Sequence, residues 1–108
     1  KTHQMSFKNS SEYLREIEQD INEGCDAVII KPALSYLDII SKVKDRFNIP
    51  IIGYNVSGVY SMVKSASKEN LIDGIDVTME ILYSIKRAGA TAIITYNAIE
   101  IAKKINKK

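Results

Sequence analysis

Apolar residues along the chain recur at two different spacings, and the switches between them lay out the elements. From Ser10 or Ser11, either of which can serve as an N-cap, Leu14, Ile17 and Ile21 follow at helical intervals until Gly24 predicts a stop. Ala27-Val28-Ile29-Ile30 is then a continuous apolar run rich in β-branched residues, the pattern of a strand buried on both faces. Ser35 is placed to cap a second helix with Leu37, Ile40, Val43 and Phe47 on one stripe, ending before Pro50. Ile51-Ile52-Gly53-Tyr54 predicts the next strand. Val59, Met62 and Val63 predict a helix or helical turn after Ser57, and the stretch from Asn70 to Gly74 interrupts it. Ile75, Met79, Leu82 and Ile85 share one face of a long helix that Gly89 stops. Ala92-Ile93-Ile94-Thr95 predicts a third strand, and residues 98–108 a closing helix.

Two joints in this order are alike. Glu23-Gly24-Cys25-Asp26-Ala27-Val28-Ile29-Ile30 and Ala88-Gly89-Ala90-Thr91-Ala92-Ile93-Ile94-Thr95 each pass from a helix end through glycine, a small residue and a polar residue into an apolar strand. Helices alternating with buried strands through loops this short imply right-handed crossovers and a parallel sheet, so the fold class is α/β. Three strands cannot close a barrel, and an eight-stranded barrel takes on the order of 250 residues. The barrel reading therefore makes residues 1–108 one segment of a single catalytic domain whose N-terminal part lies elsewhere. A small open sheet is the alternative.

Composition narrows the class further. The 108 residues are 45% hydrophobic and 26% charged, which suits a packed domain rather than a disordered tail. Fifteen basic and 13 acidic residues leave a net charge of +2, and the one basic cluster, Lys103, Lys104, Lys107 and Lys108, reads as a solvated helix end. No aromatic residues are interleaved with it, so nucleic acid is not expected as a partner. The single cysteine, Cys25, permits no intrachain disulfide. No apolar run is long enough for a membrane span and no signal peptide is evident, so a cytoplasmic setting is expected. The chain opens Lys-Thr-His-Gln without methionine, and the polypeptide is expected to begin earlier.

In parallel α/β proteins the working groups gather at the C-terminal ends of the strands. Those ends carry Lys31-Pro32, then Tyr54-Asn55-Val56-Ser57-Gly58, then Thr95-Tyr96-Asn97. Lys31 follows four apolar residues and precedes a proline that holds it extended, which predicts an amine beside a low-dielectric wall. Desolvation or a neighbouring cation is what brings a lysine from about 10.4 towards the free amine that attacks carbonyls. A surface lysine snorkelling past a strand end is the alternative. Ser57 has no histidine or acid at a spacing that would make it a nucleophile, so a hydrogen bond to substrate is its expected role. Tyr96 is either a carboxylate donor or a rim residue, and Tyr54 is expected in the wall. With His3 and Cys25 each alone of their kind, no zinc-type ligand cluster exists in this segment.

Val28-Ile29-Ile30-Lys31-Pro32-Ala33 followed by Tyr36-Leu37-Asp38-Ile39-Ile40 closely resembles the segment around the active-site lysine of the porphobilinogen synthases, or 5-aminolevulinate dehydratases. Lys1-Thr2-His3-Gln4-Met5, Tyr54-Asn55-Val56-Ser57-Gly58, Ile85-Lys86-Arg87-Ala88-Gly89-Ala90 and Ile94-Thr95-Tyr96 resemble that family's C-terminal blocks in order and spacing, so nearly the whole chain is covered. The resemblance implies the C-terminal part of a (β/α)8 TIM barrel, assembled as a homo-octamer. It implies an enzyme that condenses two molecules of 5-aminolevulinate into porphobilinogen in tetrapyrrole synthesis through lysine Schiff bases. Lys31 is then the lysine that binds the substrate destined for the propionate side. Ser57 and Tyr96 match the hydroxyls on that substrate's carboxylate, Gln4 a glutamine on the second carboxylate, and Tyr54 a pocket-lining tyrosine. Glu16 falls on the glutamate of an allosteric magnesium site in some bacterial members, with plain solvation on a helix face as the alternative.

The sequence departs from the family pattern at His3, where tyrosine is common, at Val59, where glutamate usually follows, and at Thr91, where aspartate is usual. The second Schiff-base lysine, the loop that binds catalytic zinc or magnesium and the N-terminal arm used in assembly are all expected upstream, so the segment alone is expected to be inactive. Cut from a barrel, its three strands would leave open edges and uncovered apolar faces, with Lys31, Ser57 and Tyr96 on one rim. Two other readings compete: a class I aldolase-type lyase using Lys31, and a non-catalytic α/β binding domain in which Lys31 is a bystander.

Overall fold

A computed structural model describes residues 10–106. Five α-helices and three strands follow along them, with two helices in succession between the second and third strands: α1 (Ser10–Asn22), β1 (Val28–Ile30), α2 (Leu37–Arg46), β2 (Ile51–Asn55), α3 (Ser57–Lys68), α4 (Gly74–Ala88), β3 (Ala92–Thr95) and α5 (Ala98–Asn106). The strands form one parallel sheet in the order β1-β2-β3, with Val28 opposite Ile51, Ile30 opposite Gly53, Gly53 opposite Ile93 and Asn55 opposite Thr95. The α/β class and the parallel pairing expected from the apolar runs are both present.

Three helices end in the same way, and the chain stops them with the residues the sequence flagged. After α1, the Gly24 amide donates to the Ile21 carbonyl and the Cys25 amide to that of Asp20, with Gly24 at φ 98°. After α4, Gly89 and Ala90 repeat the pattern onto Lys86 and Ile85, with Gly89 at φ 131°. This is the Schellman arrangement, which needs a residue tolerant of positive φ just past the helix. Asn70, at φ 59°, takes that position after α3, with Asn70 and Leu71 donating to Ser67 and Ala66. The two glycine joints read as a repeat are therefore the same physical device used twice. At the start of α4, the Asp73 carboxylate accepts from the Asp76 amide at 3.1 Å and caps the helix.

Ser35 does not cap α2. Leu34–Tyr36 form a 3-10 turn and α2 begins at Leu37 with Tyr36 at its N-cap and no side-chain cap, so Ser35 falls inside the turn, one residue short of the capping position. The face of α4 also differs from the expected stripe. Thr78 and Ile85 are buried, Ile81 and Ala88 pack against the core, and Ile75, Met79 and Leu82 are half-buried. The inward row therefore runs 78-81-85-88 and shares only Ile85 with the expected stripe.

The core lies between this helix layer and one face of the sheet. Tyr13, Leu14, Ile17, Ile39, Ile40, Val43 and Ile85 pack against Val28, Ile30 and Ile51. The close approach of α4 to β2 depends on Gly53: a Cβ built there would stand 2.6 Å from Ile85 Cγ2 and 3.4 Å from the Ala33 Cβ. Strands buried on both faces were expected, but residues 10–106 cover one face only. Ile29 and Ile52 are half-buried, and Ile94 in β3 is 43% exposed. The reason is parity: alternate residues point to opposite faces, and all the core helices lie on the side of Val28, Ile30 and Ile51.

Tyr13, absent from the expected stripe of α1, is the largest fully buried side chain and meets Tyr36 edge-on at 5.7 Å between ring centroids. Burial pushes its phenol up from 10.0 to about 12, and the neighbouring Tyr36 and Glu16 add to the effect. A folded-state pKa above the unfolded one means the folded chain holds the proton longer. That contribution is complete below pH 10 and disappears as pH rises through about 12. Stability is therefore expected to fall by about 2 to 3 kcal/mol across this window on Tyr13's account. Tyr13→Phe keeps the ring contact and should remove that part of the alkaline slope, measured as the difference between urea denaturation midpoints at the two ends of the window. Identical slopes for parent and variant would show that the buried phenol does not titrate this way.

Candidate active site

Because all three strands are parallel, their C-terminal ends share one rim. β1 delivers Lys31, β2 delivers Tyr54 and then Ser57 at the first position of α3, and β3 delivers Tyr96. Side-chain alternation puts Ile29, Lys31, Ile52, Tyr54, Ile94 and Tyr96 on the sheet face that residues 10–106 leave uncovered. The Ala33 amide donates to the Tyr54 carbonyl at 3.0 Å, which ties the loop after Lys31 to the end of β2. The Lys31-Pro32 bond is cis.

Three of the expected residues meet directly. Lys31 Nζ lies over the Tyr54 ring, 5.2 Å from its centroid, and the Tyr54 and Tyr96 rings are tilted together at 6.5 Å. A hydrogen bond to Tyr96 raises the Tyr54 phenol above its usual value, with the nearby Tyr96 charge and partial burial adding to it. Lys31 itself is exposed. The low-dielectric wall expected around its amine is not supplied by residues 10–106, since the amine lies over the open face of the sheet.

Ser57 is exposed and opens α3, whose N-cap, Val56, supplies no side-chain hydrogen bond. The first-turn amides of α3 therefore stand at the rim with their partial positive charge unneutralised by a capping side chain. Hydroxyls from Ser57, Tyr54 and Tyr96 with an amine from Lys31 make a rim suited to a small molecule carrying both a carbonyl and a carboxylate.

Two features at the rim escape the sequence pattern. Tyr60, one turn into α3, stacks on Tyr96 with centroids 6.0 Å apart, so Tyr96 lies between two rings. Only the helical register of α3 could have announced it. Asn55, at the end of β2, is 3% exposed and bonds across to Thr95, while its Oδ1 is buried with no hydrogen-bond partner. A buried unpaired acceptor costs about 1 to 3 kcal/mol.

Other expected residues lie apart from the rim. Gln4 and His3 are outside the described residues, as are Lys107 and Lys108. Glu16 is half-buried in the middle of α1, in the helix layer. Among the described residues no group of three or more histidine, cysteine, aspartate or glutamate side chains could hold a metal ion, so these residues do not by themselves fit a magnesium or zinc site. No helix among them is long and apolar enough to cross a membrane. Thr91, where the family pattern favours aspartate, joins two strands. Its hydroxyl accepts from the Ile51 amide at 3.1 Å and its own amide donates to the Ile51 carbonyl at 2.7 Å, pinning the start of β2 to β3.

Known proteins share this architecture. A delta-aminolevulinic acid dehydratase from Staphylococcus aureus is 53% identical over 107 residues, covering 99% of this chain and 33% of the relative, and one from Staphylococcus epidermidis is 52% identical over the same span. The chain thus spans about a third of the length of the curated relatives it matches. A crystal structure of delta-aminolevulinic acid dehydratase (porphobilinogen synthase) from Toxoplasma gondii ME49, in complex with the reaction product porphobilinogen, superposes with a TM-score of 0.91 at 43% identity. That match covers 94% of this chain and 29% of the Toxoplasma chain, so the strand and helix order described above is a segment of that enzyme's barrel fold. The family model for delta-aminolevulinic acid dehydratase matches residues 1–104, and the chain belongs to this family.

Proposed function

We propose that the complete polypeptide carrying this segment is a porphobilinogen synthase, a lyase that condenses two molecules of 5-aminolevulinate into porphobilinogen with loss of water in tetrapyrrole synthesis. The observation that carries this reading is the placement of the Lys31 amine over the Tyr54 ring, beside the Tyr54–Tyr96 pair, at the C-terminal rim of three parallel strands. Lys31, as the free amine, adds to the ketone carbon of one substrate. A nitrogen–carbon bond forms, the carbonyl oxygen leaves as water, and the resulting imine holds that substrate for condensation. Ser57 and Tyr96 donate to its carboxylate, supported by the first-turn amides of α3. Tyr54 lines the pocket beneath the amine. Gln4 serves the carboxylate of the second substrate.

The remaining parts of the reading rest on resemblance. The second Schiff-base lysine and the ligands of a catalytic zinc or magnesium ion belong to the part of the enzyme outside this chain. A magnesium role for Glu16 requires ligands beyond the described residues. Assembly as a homo-octamer and a cytoplasmic location belong to the same proposal, and the segment alone is inactive.

Supplied with 5-aminolevulinate, the complete enzyme is expected to release porphobilinogen and to leave sugar phosphates untouched. Cleavage of a sugar phosphate without pyrrole formation would favour the aldolase-type lyase, which a lysine at a strand end serves equally well. Product identity by mass spectrometry separates the two.

A further inference from the structure

The hydrogen bonds behind the two tyrosines run in one direction. Asn55 Nδ2 donates to Thr95 Oγ1 at 3.3 Å, and the Thr95 hydroxyl donates onward to Asn97 Oδ1 at 2.9 Å. A hydroxyl has a single proton, so the bond to Asn97 fixes its direction and leaves a lone pair for Asn55. Asn97 is itself tied down, since its carbonyl accepts from the Ile101 amide at 3.0 Å in the first turn of α5. The chain of bonds therefore joins the end of β2, the end of β3 and the start of α5.

Its position is what gives it meaning. Asn55 and Thr95 are register partners on the helix-covered face of the sheet, and each is the immediate neighbour of a tyrosine on the open face, Tyr54 and Tyr96. Tyr96 stands between the two clamp residues Thr95 and Asn97. An inner-face strand position this deeply buried is ordinarily filled by an apolar side chain. Asn55 fills it instead while leaving its Oδ1 without a partner, so the amide weakens the core it occupies.

We infer that Asn55, Thr95 and Asn97 form a positioning clamp that sets the spacing of the β2 and β3 ends and so aims the Tyr96 hydroxyl at the substrate carboxylate. The inference rests on the reading that Tyr96 holds that carboxylate. The raised pKa of Tyr54, caused first by its bond to Tyr96, is in keeping with two phenols held in a fixed relation. None of the three residues touches substrate; each acts through Tyr96.

The test uses the complete enzyme with four variants: Thr95→Val, which keeps shape but loses the hydroxyl, Thr95→Ser, Tyr96→Phe, and the double variant Thr95→Val/Tyr96→Phe. Thr95→Val is expected to raise KM for 5-aminolevulinate about tenfold with kcat within about twofold of the parent, and Thr95→Ser to restore the parental KM. The double variant is expected to have the KM of Tyr96→Phe alone, because a clamp has nothing left to aim. A parental KM in Thr95→Val, with Tyr96→Phe raised, overturns the clamp and leaves the carboxylate reading standing. Effects that multiply in the double variant, or a failure of serine to restore binding, also overturn the clamp. A parental KM in Tyr96→Phe overturns the carboxylate reading and the clamp with it. Should Thr95→Val fail to assemble, Asn97→Ala at the half-buried end of the chain is read the same way: a raised KM that disappears in the Tyr96→Phe background supports the clamp, and a parental KM overturns it.

Discussion

Lys31→Met in the complete enzyme is expected to lower activity by at least about a thousandfold while leaving the fold intact. Methionine matches the length of much of the lysine side chain but has no amine, so no imine can form and the substrate is no longer held covalently. The fold is spared because Lys31 is exposed and makes its one described contact with the Tyr54 ring, away from the core of Ile30, Ile40 and Ile85. Borohydride reduction in the presence of 5-aminolevulinate, followed by peptide mapping, checks the chemistry directly. Label on the peptide carrying residue 31 in the parent and its loss there in the variant is the expected result. Label confined to peptides lacking Lys31 would sink the assignment.

Much of this is legible in the sequence because strands buried under helices write themselves as short β-branched runs. The third strand has the bounds its apolar run gave, Ala92–Thr95, and the other two differ by one residue at one end. Gly24, Gly89 and the interruption at Asn70 are equally readable, since positive φ restricts the choice of residue. Less legible is anything that depends on two segments at once. Ser35 looks like a cap because the sequence does not display the 3-10 turn that carries the chain into α2. The inward row of α4 is hidden because Thr78 and Ala88 are less apolar than the Met79 and Leu82 beside them, and the approach of β2 decides which row turns inward. At the rim, Lys31, Tyr54, Ser57 and Tyr96 stand out as polar residues just past strand ends. Asn55 and Thr95 sit in the same stretches yet give no signal, because their significance lies in being register partners across two strands forty residues apart.

Ser57→Ala and Tyr96→Phe in the complete enzyme are expected each to raise KM for 5-aminolevulinate by roughly tenfold to a hundredfold. Each removes one hydrogen bond to a charged carboxylate, about 1.5 to 3 kcal/mol. Neither change should disturb folding. Ser57 makes no described cap bond at the start of α3, and phenylalanine preserves the ring contacts of residue 96 with Tyr54 and Tyr60. Imine formation at Lys31 should survive in both variants once substrate is saturating, so borohydride trapping at high 5-aminolevulinate separates weakened binding from lost chemistry. Unchanged constants in both would show that these hydroxyls do not hold the carboxylate.

The contact at Gly53 bears on how this segment can diverge. The missing side chain of β2 and the Cγ2 of Ile85 on α4 occupy what is in effect one shared volume. A methyl group gained at position 53 has to be matched by one given up at position 85, and the intermediate with both is crowded to 2.6 Å, well inside van der Waals contact. Lineages drifting at this joint are therefore expected to exchange bulk between the two positions as a pair, or to leave both alone, even though they stand thirty-two positions apart in the chain.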